Sequence, residues 1–141
     1  MAAVNKSRDE IIRRGAELIH RKGYHATGLQ EILKEARVPK GSFYFYFRSK
    51  EDFGAAVIDY FTETLGAVFS LCLNDRSLSP PERLERLFVL IEEGYRKNGY
   101  TLGCPIGNLA LEMADNSDPL RDRLRAAIDK LLTSLESCLQ E

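Results

Sequence analysis

A run of five aromatic residues, Phe43 to Phe47, constrains the fold of this chain more than any other feature. Alternating Phe and Tyr favour a β-strand by propensity, but the run directly follows Pro39 and Gly41. Strand-like patterns are scarce elsewhere in the 141 residues, whereas signals for helix starts and helix ends recur along the chain. The aromatic run therefore has to be interpreted together with the helical segments around it.

Two helices are predicted before the aromatic run. From about Ser7 to Lys22 apolar residues recur at helical spacing, and Gly23 suits the position just after a helix. In the next segment Thr27 and Gln30 have the spacing of a capping box, which would satisfy free N–H groups at a helix start. The apolar stripe of this second helix consists of Leu29, Ile32, Leu33 and Ala36.

The aromatic run itself is predicted to form a third, very short helix. Pro39 suits the first turn of a helix, because its missing N–H would be unpaired there in any case. Phe43 and Phe47 then lie four residues apart on one face, which we expect to be buried. Tyr44 and Tyr46 lie on other sides of the helix, where their hydroxyls stay in water. The alternative is that all five aromatic residues belong to the core.

Four more helices are predicted after residue 48, so the fold class is all-α. The fourth begins at the N-cap Ser49 and continues to about Cys72, and the fifth begins with a cap of Ser79 and Glu82. A short sixth helix follows a glycine-rich break, and Pro119 opens the seventh. The apolar stripes of the last three helices are Leu84, Leu87, Phe88, Ile91 and Tyr95; Ile106, Leu109, Ala110 and Met113; and Leu120, Leu124, Ile128, Leu131, Leu135 and Cys138.

Charge is divided unevenly along the chain, although the formal net charge is −1. Residues 1–50 contain 11 Lys and Arg against 5 Asp and Glu, whereas residues 51–141 contain 9 against 16. A basic first part suits contact with a polyanion, and ordinary solvated helix faces are the alternative.

Composition also limits the functional classes. Three cysteines at irregular spacing are a poor disulfide framework and indicate a reducing cytoplasm. Neither a run of 18 apolar residues nor an apolar N-terminal segment occurs, so we predict neither a membrane span nor a secretory signal. With His20 and His25 as the only histidines, and no CxxC or HExxH, we expect neither a metal site nor a cofactor.

The second and third helices, joined by a tight turn, have the arrangement of a helix-turn-helix, whose second helix enters the major groove of DNA. Hydroxyl and N–H groups at a helix start can hold a phosphate oxygen. Gly41 would let the backbone approach the duplex, and tyrosine hydroxyls can donate to phosphates. The residues that we predict to contact DNA are Thr27, Lys40, Gly41, Ser42, Tyr44, Tyr46 and Lys50.

The stretch TGLQEILKEARVPKGSFYFYFRSKEDF, residues 27–53, resembles the DNA-binding signature of the tetracycline-repressor (TetR) family. The resemblance covers roughly residues 7–60 and implies the same seven DNA-contacting positions. It also implies a homodimer that binds a palindromic operator and usually represses transcription until a small molecule releases it. The expected domains are a DNA-binding domain of residues 1–48 and a helical regulatory domain of residues 49–141.

The stretch GCPIGNLALEMAD, residues 103–115, is similar to a segment of one TetR subgroup. Some members of that subgroup respond to electrophiles or oxidants through its cysteine. With Pro105 opening the sixth helix, Cys104 would occupy the N-cap, where free N–H groups stabilise a thiolate, and Gly103 would leave room for a reagent. The alternative is that Cys104 is a small, half-buried residue. Cys72 and Cys138 lie on or beside apolar stripes, and we expect both in the core.

A ligand pocket is expected among helices four to seven, with ordinary core packing as the alternative for its walls. The candidate walls are Phe69, Tyr95, Leu109 and Met113. Members of the family usually end in two further helices that form the dimer interface. The resemblance therefore implies either a chain truncated at Glu141 or a protein that lacks the usual interface, and the expected homodimer is inherited from the family.

Two other functional classes are alternatives. An enzyme with Cys104 as nucleophile would need a nearby base, but both histidines belong to the basic first part of the chain. A helical interaction module without DNA binding is the other alternative. We predict a DNA-binding regulator that is not an enzyme.

Overall fold

The computed structural model describes the backbone of residues 2–141 and the side chains of residues 7–141. Over this range the chain forms seven α-helices and no strand, which confirms the all-α prediction. The helices are α1 (Ala2–Lys22), α2 (Leu29–Ala36), α3 (Lys40–Tyr46), α4 (Lys50–Leu73), α5 (Pro80–Lys97), α6 (Pro105–Met113) and α7 (Asp118–Leu139).

The first helix ends where the sequence predicts. α1 stops at Lys22, and Gly23 follows with a φ of 93°, the left-handed conformation that glycine adopts without a Cβ penalty. The Gly23 N–H donates to the Ile19 carbonyl oxygen at 2.7 Å, which closes the last turn. The start differs from the prediction, because α1 begins at Ala2 rather than near Ser7.

The predicted caps of α4 and α5 are confirmed. The Ser49 Oγ accepts the N–H of Asp52 at 3.1 Å at the start of α4. At the start of α5, the N–H and the hydroxyl of Ser79 both donate to the Glu82 carboxylate, at 2.8 and 2.6 Å. These side chains bond polar groups at the helix starts that would otherwise be unpaired.

Two helix starts differ by one residue from the prediction. Pro39 is the N-cap of α3 rather than its first residue, with a φ of −68° and an extended ψ of 155°, so the helix begins at Lys40. Pro119 is the second residue of α7, after Asp118, and the Ser117 side chain caps that helix. A proline ring fixes φ but leaves ψ open, so it fits an N-cap as well as the first turn.

One hydrophobic core joins α1, α2, α3 and the first half of α4 with α6 and α7. A smaller second core lies at the far end of α4 and contains Cys72, Leu73, Leu87 and Cys138. Cys72 and Cys138 are 0% and 2% exposed, which confirms that both cysteines belong to a core. The principal members of the main core are Ile11, Ile19, Ile32, Phe43, Phe47, Phe53, Ile58, Ile106, Met113 and Leu124.

The buried faces of α5 and α7 differ from the predicted apolar stripes. Phe88 is 63% exposed, and Arg83 is buried instead, donating to three carbonyl oxygens at the end of α4 and in the following loop. The Arg83 guanidinium also pairs with the carboxylate of Glu141. On α7, Ile128 is 39% exposed and Ala127 is buried. A pattern of apolar residues cannot predict a buried arginine whose Nε and Nη1 donate to backbone carbonyl oxygens.

α4 is long and apolar enough, by length and composition alone, to cross a membrane. A helix at the centre of a helical core meets the same criterion. α4 contacts α1, α5, α6 and α7, and Phe53, Val57 and Ile58 on it are fully buried. These contacts bury part of its apolar surface, and we regard it as a core helix.

Gly15 of α1 faces α4 with no room for a side chain. A Cβ atom there would lie 2.4 Å from Phe53 Cζ and 3.2 Å from Ile32 Cγ2. We expect Gly15→Ala to lower the free energy of unfolding by about 1 kcal/mol, because the clash outweighs the better helix propensity of alanine. Urea unfolding measures this change. Gly94→Ala, at an open position of α5, is the control and should be stabilising; a stabilised Gly15→Ala would contradict the close approach.

Candidate functional site

α2 and α3 are joined by a tight turn of residues 37–39. The turn begins at Arg37, which has a left-handed φ of 55°. The Val38 N–H then donates to the Leu33 carbonyl oxygen at 3.1 Å, which ties the turn to the last part of α2. With α1 packed against α2, these two short helices have the arrangement of a helix-turn-helix.

Aromatic side chains hold α3 in place. Phe43 and Phe47 are 0% and 2% exposed, which confirms the prediction that both pack inward. Their ring centroids are 5.2 Å apart, and each ring also contacts Phe53 of α4, at 5.6 and 5.2 Å. Edge-to-face and tilted rings at these distances are favourable, so a helix of only seven residues acquires a fixed orientation.

The outward face of α3 has Gly41 and Phe45 at its centre. At 100° per residue they lie about 160° and 200° from the buried Phe43. Phe45 is 73% exposed and Tyr44 beside it is 53% exposed, whereas Tyr46 is partly buried and packs against the core. Phe45 is absent from the predicted DNA contacts, although its angular position opposite Phe43 already indicates an outward-facing ring.

Several cations surround this face. Lys34, Arg37, Lys40 and Arg48 are exposed in and beside α2 and α3. None of them forms an ion pair with a side chain among residues 7–141. Ser42, another predicted contact residue, is partly exposed on α3. The end of the molecule that presents α3 therefore carries four cations that are free to meet a polyanion.

Thr27 does not form the predicted capping box. The N-cap of α2 is Gly28, and no side chain bonds to the helix start. Thr27 is instead 0% exposed, and its hydroxyl donates to the Gly23 carbonyl oxygen at 2.6 Å. The hydroxyl is used to close the turn between α1 and α2, because a buried hydroxyl needs a partner. In this position it is not accessible to a phosphate.

Lys50 is directed at the same turn and is partly buried. Its Nζ donates to the Tyr24 carbonyl oxygen at 2.8 Å and lies 4.6 Å from the centroid of the Tyr24 ring. Burial lowers the pKa of Lys50, and the charge of Glu112 opposes that shift. Burial, with a smaller contribution from Glu51, raises the pKa of Tyr24 to about 12, so this ring remains neutral beneath the ammonium group.

Glu112 of α6 holds the turn from the other side. Its Oε1 accepts the Tyr24 N–H at 3.0 Å, and its Oε2 accepts the His25 N–H at 3.1 Å. The His25 ring lies 3.3 Å from the Glu112 carbonyl oxygen. Hydrogen bonds from N–H groups to a carboxylate are stronger than those between neutral groups. Glu112 thus connects α6 to the turn that leads into α2, a role that sequence analysis missed.

Cys104 occupies the N-cap of α6, as predicted. Its Sγ accepts the Gly107 N–H at 3.5 Å, and the residue is exposed, so the half-buried alternative is wrong. Burial raises the pKa of Tyr95, and its electrostatic interaction with Cys104 adds to that shift. The preceding residue, Gly103, is bonded to α1 through its carbonyl oxygen, which lies 2.8 Å from His20 Nε2.

The four predicted pocket walls lie in different surroundings. Leu109 and Met113 are buried in the main core, whereas Phe69 packs against the second core and Tyr95 lies near Cys104. Leu109 lines a cavity of about 340 Å³ between α1 and α6, and Phe69 lines a separate one of about 230 Å³ at the far end of α4. Other residues that line the cavity between α1 and α6 are Ile19, His20, Phe61, Asn108 and Glu112.

Comparison with known proteins defines the class. Residues 11–57 match the family model of bacterial regulatory proteins of the tetR family, and residues 80–141 match the tetracyclin repressor-like C-terminal domain. The transcriptional regulator AcuR of Cereibacter sphaeroides is 42% identical over 119 residues, which are 84% of this chain and 54% of AcuR. The matches and the helix-turn-helix together define a bacterial regulatory protein.

Solved structures agree with this class. The regulatory protein TetR from Rhodobacter sphaeroides is 37% identical, with a TM-score of 0.81 over 94% of this chain and 74% of that one. The reduced form of NemR from E. coli is 28% identical, with a TM-score of 0.88 over 96% of this chain and 70% of NemR. The chain belongs to the TetR family, and it spans about half the length of AcuR.

Replacing Glu112 tests the connection between α6 and the turn. In Glu112→Gln one of the two backbone N–H groups would face an amide N–H₂ in place of an oxygen. We expect faster amide exchange at Tyr24 and His25 and a loss of about 1–2 kcal/mol in the free energy of unfolding. Hydrogen-exchange NMR and urea unfolding measure these effects. The control is Glu85→Gln, on the exposed side of α5; equal exchange rates in both variants would contradict the connection.

Proposed function

We propose that this protein is a sequence-specific DNA-binding transcriptional repressor and that α3 enters the major groove of its operator. The observation that carries the proposal is the outward face of α3, where Tyr44 and Phe45 are exposed on a helix fixed by buried rings. A relative named as a repressor, DhaR of a Mycobacterium species, is 34% identical over 95% of this chain and 66% of DhaR. That name supports repression over activation.

The proposed contacts follow from the accessibility of each group. Lys40 neutralises phosphate charge, and Ser42, Tyr44 and Tyr46 donate to phosphate oxygens or base edges. Gly41 has no side chain, so the backbone of α3 can lie close to the duplex there. A Cβ atom at this position would have no protein atom within 4 Å. The protein itself therefore leaves this space open for a partner.

Thr27 and Lys50 have a positioning role in this proposal and are not among the DNA contacts. Their polar groups bond within the turn between α1 and α2, so they orient the helix-turn-helix and do not themselves contact phosphate. We retain a DNA-binding domain of residues 1–48 and a regulatory domain of residues 49–141. The protein binds a palindromic operator as a homodimer in the cytoplasm, with half-sites about 34–36 Å apart.

The signal that releases DNA is proposed to act at α6. A small molecule, or an electrophile or oxidant that modifies Cys104, would displace the start of this helix, where Sγ is exposed. The other end of the same helix carries Glu112, which bonds the turn before α2. A shift of α6 therefore changes the orientation of the helix-turn-helix through direct contacts.

Gly41→Ala tests DNA binding. We expect a roughly tenfold or greater loss of operator affinity, because the methyl group separates the backbone of α3 from the duplex. Stability should rise by up to about 1 kcal/mol, since alanine favours a helix. Fluorescence anisotropy with an operator selected from random duplexes measures the affinity, and thermal unfolding measures stability.

Gly94→Ala on α5 is the matched control, because it makes the same change at another open helical position. It should raise stability and leave DNA affinity unchanged. For the wild type, the logarithm of the affinity should fall steeply and linearly with the logarithm of salt concentration. A wild-type protein that selects no DNA at any salt concentration would sink the proposed function.

N-ethylmaleimide tests the role of Cys104. The reagent adds to an exposed thiol, and we expect it to abolish operator binding by the wild type and to spare the Cys104→Ser variant. Cys72 and Cys138 are buried and should not react in the folded protein. Wild-type binding that persists after complete alkylation would exclude the thiol and favour a reversible ligand. Equal loss in both proteins would assign the effect to another group.

A further inference from the structure

Phe45 has no place among the phosphate contacts proposed above. It is the most exposed residue of the aromatic run, at 73%. A phenyl ring has neither a donor nor an acceptor for ordinary hydrogen bonds, so it cannot replace the hydroxyl of a tyrosine at a phosphate. Large apolar groups that remain exposed on a functional surface usually meet an apolar partner.

The position of the ring follows from the packing of α3. Phe45 lies about 200° around the helix from Phe43, and Phe43 is fully buried. The ring therefore points away from the core, beside the open surface of Gly41. Its centroid lies 5.0 Å from that of Tyr46, edge to face, which limits its movement. The helix thus presents an apolar group in a defined orientation.

The surroundings of Phe45 favour a polyanion as the partner. Lys40 and Arg48 are exposed nearby in the sequence and unpaired among residues 7–141. If the partner were an apolar protein surface, it would remove water from these charged groups without pairing them, which is unfavourable. A DNA groove instead offers phosphates to the cations and base edges to the ring. The 5-methyl group of thymine is the apolar group that base edges present in the major groove.

We infer that Phe45 is a specificity-determining residue that contacts the 5-methyl group of one or more thymines in each operator half-site. The inference rests on the proposed DNA-binding function and goes beyond it by assigning a base preference to a residue without polar atoms. Donors and acceptors of other base edges would remain unpaired against the ring. The ring therefore favours thymine both by contact with the methyl group and by exclusion of the alternatives.

The experiment replaces thymine with deoxyuridine, which lacks only the 5-methyl group. An operator is first selected from random duplexes with the wild-type protein, and each thymine is then replaced in turn. We expect a loss of about fourfold in wild-type affinity at each contacted thymine, the effect of one buried methyl-sized group. In Phe45→Ala the same replacements should have no effect, and the preference for operator over random duplex should decrease.

Two variants serve as controls. Phe88→Ala removes a ring of similar exposure, 63%, from α5, and it should keep the wild-type response to deoxyuridine. Phe45→Leu retains an apolar side chain and should keep part of that response. Thermal unfolding of Phe45→Ala should match the wild type, because the ring contributes little to the core.

The outcomes separate the inference from the proposed function. If the wild type binds its operator and no deoxyuridine replacement weakens binding, the inference is wrong while DNA binding stands. If deoxyuridine weakens binding equally in Phe45→Ala and in the wild type, the inference is also wrong while DNA binding stands. If the wild type selects no operator, both fail together.

Discussion

Contact among Phe43, Phe47 and Phe53 is the interaction on which the functional surface depends. An isolated helix of seven residues would not be stable in water, because too few hydrogen bonds offset the entropy of its formation. Three buried rings within 5.6 Å of each other supply the missing stabilisation and join α3 to α4. With its inward face fixed, the opposite face of α3 has a defined orientation, and Phe45 is presented at its centre.

Polar contacts also fix the helix-turn-helix to the rest of the protein. The turn between α1 and α2 is bonded by Lys50 from α4 and by Glu112 from α6, while Thr27 closes it from within. The main core also contains residues of α1, α2, α3, α4, α6 and α7. The two expected domains are therefore in direct contact through both apolar and charged groups. A change at the start of α6, where Cys104 is exposed, has a short physical route to α2.

The differences from sequence-based expectation share a cause. Thr27 has the residue type and spacing of a capping box, but its hydroxyl bonds to Gly23 because the turn buries it. Arg83 lies outside the apolar stripe of α5, yet it is buried because carbonyl oxygens of the loop before α5 accept its donors and Glu141 pairs with it. Phe88 lies at a stripe position and is exposed because nothing in the described part of the chain covers it. Each outcome depends on what surrounds the side chain in the folded protein.

The sequence by itself determined the number and order of the helices, their caps at Ser49 and Ser79, and the inward packing of Phe43 and Phe47. These features depend on local hydrogen bonds and on periodicity, which neighbouring residues define. Only the tertiary structure decided how those helices present their polar groups. The contact of Glu112 with the turn before α2 joins residues 88 positions apart, and no local pattern can encode such a pairing, because it exists only once the helices have packed.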